Sequence, residues 1–309
     1  MRNALFAGTV LALALLAGPA AEAAGTLKVC IAEDTPPLSD HKGGKASGFD
    51  VAVAEALAKR LDRTLAIQWF ENELDEGSSF TLEANALLSD GLCDLVSSYP
   101  LIEGTLGKPP VVSARLPGHE GGKPADRRRL VTLGTLVPSK PYYYSALTVV
   151  LGGPATAKPI HSLDDLEGVK IGEPEGSLAD AVMMTFHNRR FVSQITHVVP
   201  GPQGHLFERL EHGDYDATLV SLRGLDAYRA AHPDTKLKGS GFYYKFGFNM
   251  GFSALSTAAP LLEAVNAALA EMQAKGEFQT MGQAAGMTYL PPRQPDVSPN
   301  ISMFDLFRD

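Results

Sequence analysis

Two apolar periods alternate along the chain. "TLKVCIAE" is a continuous apolar run of the kind a buried parallel strand requires. "GFDVAVAEALAKRL" then spaces Val51, Ala54, Leu57, Ala58 and Leu61 at helical intervals, with Asp50 placed to cap the helix. "TLAIQWF" is the next strand, a helix over 81–88 runs into Gly91, and "CDLVSS" is the third strand. The same order returns as "VKIGEP", "SLADAVMMTFHNRR", "ITHVVP", "GHLFERLEHG" and "YDATLVS", with Ser177 as a cap and Asp180 three residues on. Both series close on one device: Leu, two spacers, Gly, two spacers, Asp, then an apolar run. It is Leu88, Gly91 and Asp94 in "LLSDGLCDLVSS", and Leu210, Gly213 and Asp216 in "RLEHGDYDATLVS". A glycine ends each helix where a left-handed residue is needed, and the Asp opens the following strand.

The pattern predicts two βαβαβ lobes, each a small parallel or mixed sheet with helices outside. "YYYSALTVVLGG" leads out of the first and "FYYKFGFNMGFSA" leads back, with hinges expected near 147–150 and 246–250. "APLLEAVNAALAEMQAKGEF" follows as one helix, its stripe at Leu261, Leu262, Val265, Ala268, Leu269 and Met272. The expected fold class is α/β: two lobes hinged by two crossing strands. Lobe one takes 24–147 and 248–309, and lobe two takes 148–247. Ligands of such lobes bind outside the C-terminal strand ends, in the cleft between them.

The start of the chain changes this picture only by subtraction. Arg2, an apolar run over 4–17 and Ala21-Glu22-Ala23 read as a secretory signal peptide, 1–23, cut after Ala23. The run is too short to span a bilayer, so an exported, periplasmic protein without membrane insertion is expected. A formal charge of −8 argues against nucleic acid as a partner. The only two cysteines, Cys30 and Cys93, read as one disulfide in an oxidising compartment, with two buried thiols as the alternative.

"DTPPLS", "GFDVAVAEALAKRL", "LLSDGLCDLV", "KPYYYSALTVV", "SLDDLEGVKIGEPEGSLAD", "ERLEHGDYDATLVS" and "LLEAVNAALAEMQAKGEFQTMG" together resemble, in order, the periplasmic solute-binding proteins of the polar amino-acid class. That resemblance implies a clam that closes on a small polar ligand and delivers it to an ABC permease. A narrower likeness, in the Cys pair and "KPYYYS", is to binding-protein-like accessories of periplasmic quinoprotein alcohol dehydrogenases, which would make a dehydrogenase the partner. Ligand contacts are expected at Asp34, Trp69, Ser97, Ser98, Arg127, Tyr143, Gly176, Ser177 and Ser221. Arg127 is the best match to the family's carboxylate-binding Arg, with a solvated charge run over Arg127, Arg128 and Arg129 as the competing reading. Gly176 and Ser177 offer a helix end to a carboxylate, although Glu173 and Glu175 would oppose one. Ser221 stands where the family usually has an ammonium-binding Asp, and Leu38 where it has an aromatic wall. A standard α-amino acid is therefore a poor expected ligand.

Trp69, the sole tryptophan, ends the second strand and is expected to face the cleft unless it is a core aromatic. Tyr99, Tyr143 and Tyr144 could line the same opening, with a hinge of packed tyrosines as the equal alternative. "ENELDEGSSFTLE", holding Glu71, Glu73, Asp75, Gly77 and Glu83, approaches a calcium loop with Gly and the final Glu one position late, so a solvated acidic loop is the first reading and no metal is assigned. The Gly- and Pro-rich stretch over 99–129 is a cleft cover, a partner surface or a bare insertion. The Pro-rich tail packs on lobe one or docks through Phe304, Leu306 and Phe307. No cofactor or nucleophile motif occurs. Catalysis would have to come from Glu173 or Glu175 as a cleft acid, so no enzyme is expected.

Overall fold

The structure, a computed structural model, describes residues 25–71, 79–126, 129–199, 205–300, 302 and 305. The signal-peptide reading, Arg127, most of the acidic loop and the three apolar tail residues lie outside those described.

Five elements follow the first predicted series: β1 (Thr26–Ala32), α1 (Phe49–Arg60), β2 (Thr64–Phe70), α2 (Phe80–Ser89) and β3 (Leu95–Pro100). The stretch over 99–129 contributes β4 (Ser113–Arg115), which pairs with β5 (Leu130–Thr132) in a separate two-stranded sheet. β6 (Leu136–Pro138) and β7 (Tyr143–Leu151) come next. The second series is β8 (Ile171–Pro174), α3 (Leu178–Arg189), β9 (Ile195–Val198), α4 (Leu206–His212) and β10 (Ala217–Ser221). Then come α5 (Leu222–Ala231), β11 (Lys238–Leu255), α6 (Ala259–Ala274) and α7 (Glu277–Ala284).

Both halves share one sheet in the order β2-β1-β3-β11-β7-β10-β8-β9, with β6 added on β11. Pairing is parallel within each half (β1 with β2 and β3, β8 with β9 and β10) and antiparallel along β3-β11-β7-β10. β7 and β11 thus carry the chain out and back, and their ladder slips register on both sides of Tyr243. Separate cores lie on the two halves. Leu27, Val29, Phe49, Leu57, Tyr142, Val265 and Met272 belong to one; Ile171, Val182, Met183, Phe191 and Leu219 belong to another.

The repeated device is built alike in both places. Gly91 and Gly213 take left-handed φ values of 75° and 83°. Directly after each turn the Asp backbone N–H donates into the incoming first strand, Asp94 to Lys28 O at 2.9 Å and Asp216 to Lys170 O at 2.8 Å. Cys30 and Cys93 are disulfide-bonded with Cα atoms 5.6 Å apart, tying β1 to the entry of β3.

Three local expectations need correction, and one further helix, α5, has no counterpart among them. Asp50 does not cap α1; Gly48 does, at φ 118°, where a Cβ would sit 2.4 Å from Leu38 O. Leu178–Arg189 leaves helical dihedrals at Phe186, so α3 is shorter than its pattern. The long C-terminal helix is two helices, broken at Gly276 with φ 68°.

Candidate functional site

Strand β3 ends on a polar network that centres on Asp50, which is 2% exposed. Ser98 Oγ donates to Asp50 Oδ2 at 2.6 Å and Tyr142 Oη donates to Oδ1 at 2.9 Å. Because Ser98 spends its proton there, Tyr143 Oη donates to Ser98 Oγ, 2.9 Å away, while the Ser98 N–H donates to Tyr142 Oη at 2.7 Å. Ser98 holds φ at +48°, an uncommon region for a non-glycine residue, and Ser97 beside it is buried. Burial pushes the Asp50 pKa up, and the hydrogen bonds from Ser98 and Tyr142 pull it back. A further downward pull comes from the other half of the sheet: the guanidinium of Arg223, in the first turn of α5, acts on both Asp50 and Tyr143.

The helix end at Gly176 and Ser177 is already engaged. Ser177 Oγ accepts from the Asp180 N–H at 3.0 Å, as a cap should. The Gly176 N–H, expected to be open to a ligand, instead donates to Asp180 Oδ2 at 3.0 Å, and His197 Nε2 lies 3.0 Å from Oδ1. The chain's own carboxylate thus occupies the place read for a ligand carboxylate. Glu173 is not in the cleft either; it is fully buried, with Oε1 accepting from the Leu219 N–H at 2.8 Å.

Ser221 caps α5, its Oγ accepting from the Gly224 N–H at 3.2 Å. Asp34 is exposed at the end of β1 with φ 48°. Trp69 does not face an opening: it is 3% exposed, packed in the first core and stacked on His41 at 4.5 Å. Tyr99 is likewise core, donating to Thr105 O at 2.5 Å, and Tyr144 lies under the Arg293 guanidinium 4.2 Å from its ring centroid. Among the described residues, no group of three or more His, Cys, Asp or Glu is arranged to hold a metal ion.

No protein-family model and no curated protein matches the chain. Solved structures do. The L-cystine solute receptor of Neisseria gonorrhoeae, unliganded and open, superposes with a TM-score of 0.58 at 20% identity, covering 84% of this chain and 92% of that one. The second substrate-binding domain of a putative amino acid ABC transporter from Streptococcus pneumoniae gives 0.57 at 18% identity over 83% and 98%. An ancestral cationic amino acid solute-binding protein gives 0.56 at 20% over 84% and 94%. The chain has the two-lobe periplasmic binding protein fold. At such identities the likeness carries the fold and not the ligand.

Of the sequence candidates, Ser98 near the end of β3 and Tyr143 at the start of β7 meet in one network beside Asp50, with Ser97 next to them, whereas Ser221 ends β10 and is engaged with its own helix. Asp50 and Arg223 are the additions. In the sequence Asp50 is legible as a polar residue in an apolar helix, where it reads as a cap. The signal for α5 was Ser221 followed by Leu222, Leu225 and Tyr228 at helical spacing.

Glu173 supplies a test of the second lobe. Burial, with Asp180 adding to it, raises its pKa well above the usual carboxylate range against the pull of the Leu219 N–H, and its Oε2 has no partner. Between its unfolded and folded pKa values the folded state alone keeps the proton, so this group lowers stability as pH rises across that interval. Glu173→Gln should flatten the decline and melt higher than wild type on its alkaline side. Melting curves from pH 4.5, the ordinary Glu value, to roughly pH 9 check this; parallel profiles for the two proteins would refute it.

Proposed function

We propose that the protein is an exported solute-binding protein that closes its two lobes, 24–147 with 248–309 and 148–247, on a small polar ligand and delivers it to an ABC importer. One observation carries the reading: a hydroxyl and carboxylate network, Asp50–Ser98–Tyr143, stands on one lobe and an exposed cation, Arg223, on the other. Opposed polar groups on two hinged bodies bind a ligand best when the bodies close. A ligand favouring the closed form shifts the population toward it. No catalytic residue is assigned.

The test is calorimetry and thermal melting of the mature protein with the common amino acids, small organic acids and amines. A true ligand at 100 times its Kd adds about 2.7 kcal/mol of stability and should compact the particle in small-angle scattering. Silence across the panel from a folded protein would sink the reading. Because Trp69 is buried on His41, its fluorescence is an indirect reporter and melting is preferred.

A second reading, the dehydrogenase accessory, is favoured by one feature: the helix end at Gly176 is filled by Asp180 rather than left open. It expects a stable complex with a periplasmic quinoprotein dehydrogenase and no response to solutes. A solute response without complex formation on size-exclusion chromatography would remove it.

A further inference from the structure

The stretch over 108–132 carries a charge opposite to that of the chain. It holds six Lys or Arg against two Asp or Glu, while the chain as a whole stands at −8. Its two strands, β4 and β5, are separate from the large sheet, and among the described residues neither outer edge bonds a third strand. One face of the pair is buried: Ala114 and Val131 lie opposite each other and join the core of Phe70 and Leu87. Side chains alternate between faces along a strand, so the next pair, Arg115 and Leu130, faces outward. Leu130 is 66% exposed, and Val112, just before β4, is 79% exposed. With Val111 they make three of the five large apolar side chains left exposed among the described residues. Lys108 and Arg115, on either side of the two valines in the chain, are exposed as well. Apolar side chains gathered on one element mark a contact surface, whereas scattered single ones do not.

Directly before Val111, Pro109 and Pro110 wall a recess of 210 Å³ together with Leu106 and with Leu82 of α2. A recess, an apolar patch, a basic rim and open strand edges suit an extended segment of another protein. Such a segment adds its backbone to the edge, seats an apolar side chain in the recess and meets the cations with carboxylates. A second copy fits poorly, since pairing two of these hairpins would set like charges against each other. A lipid surface fits poorly as well, because 108–132 contains no Trp, Tyr or Phe to sit at headgroup level.

We propose that the β4–β5 hairpin is a docking surface for a partner protein that presents an extended acidic segment with apolar side chains. The hairpin plays this part whatever the cleft holds, so the assignment stands apart from the solute-binding reading.

The probe is a fluorescein-labelled peptide of alternating Glu and Val, read by anisotropy against the mature protein, with an alternating Lys and Val peptide as control. The acidic peptide should bind saturably and the basic one should not. Added salt should weaken the binding, because the contributing charges are exposed. Leu130→Asp and Arg115→Glu should each weaken it about 10-fold or more. Val199→Asp, at an exposed apolar position elsewhere, should leave it unchanged. All three side chains are exposed, so the Tm of each variant should stay within about 1–2 °C of wild type. Failure of the acidic peptide to bind, equal binding of both peptides, or binding that Leu130→Asp and Arg115→Glu leave intact overturns the proposal. Vesicles of phosphatidylglycerol and phosphatidylcholine, and sedimentation of the protein alone, complete the test. With the peptide silent, vesicle binding or dimerisation abolished by Leu130→Asp would assign the hairpin to a lipid surface or to a second copy instead.

Discussion

Asp50→Ala should destabilise the protein by roughly 3–5 kcal/mol, the range for breaking a buried charged network. Ser98 Oγ and Tyr142 Oη both donate to this one carboxylate. Removing it leaves buried donors without an acceptor, each costing about 1–3 kcal/mol, with less than full additivity because they are neighbours. Tyr142 is itself fully buried and packs on Phe49 and Phe252, so it has no route to solvent. Asp50→Asn keeps the volume and one acceptor and should cost about half as much. Urea melts of the two variants are the measurement. An alanine variant within about 1 kcal/mol of wild type would mean that the network does not organise this end of the sheet.

Loss of the Cys30–Cys93 bridge is the other large effect. The bridge closes a sequence separation of 63 residues, for which chain entropy alone predicts about 4 kcal/mol. The Tm should fall by on the order of 10 °C on reduction or in the Cys30→Ala/Cys93→Ala variant. Both cysteines lie in the same core cluster as Phe70, Leu87 and Val96, so the alanine pair also loses packing and should melt no higher than the reduced wild type. An oxidised and a reduced sample with the same Tm would contradict this.

The helix and strand order of both lobes was readable because each element shows a clean period and each turn carries a Gly that must be left-handed, as at Gly91 and Gly213. α5 escaped because it holds a Gly, two arginines and an Asp within ten residues, and no strand or turn separates it from β10. Not all of its polar residues are solvated: Asp226 is buried and accepts from Thr288 of the segment after α7. Asp50 was misread for a related reason. An acid near the start of an apolar helix looks the same in sequence whether it caps the backbone or enters the core, and only the partners, Ser98 and Tyr142, distinguish the two. The disulfide needed no geometry beyond two cysteines in neighbouring strand-like runs. Trp69 and the Gly176 end went the other way, because strand-end position shows which end of a sheet a residue occupies but not what already covers it.

The position of β11 beside β3 has a consequence for the order in which the chain can fold. Met250 pairs with Pro100, and Gly251 with Tyr99, so the first lobe cannot complete its sheet until the chain has passed through β8, β9 and β10 and returned. Those later strands find partners close in sequence and close their core early, while the edge of β3 waits on a distant contact. A nascent chain that stops short of β11 therefore presents an unpaired strand edge flanked by apolar surface, the template on which chains aggregate. Residues translated first are finished last. A lesion in the C-terminal half of β11 is accordingly felt at β3, about 150 residues earlier in the chain.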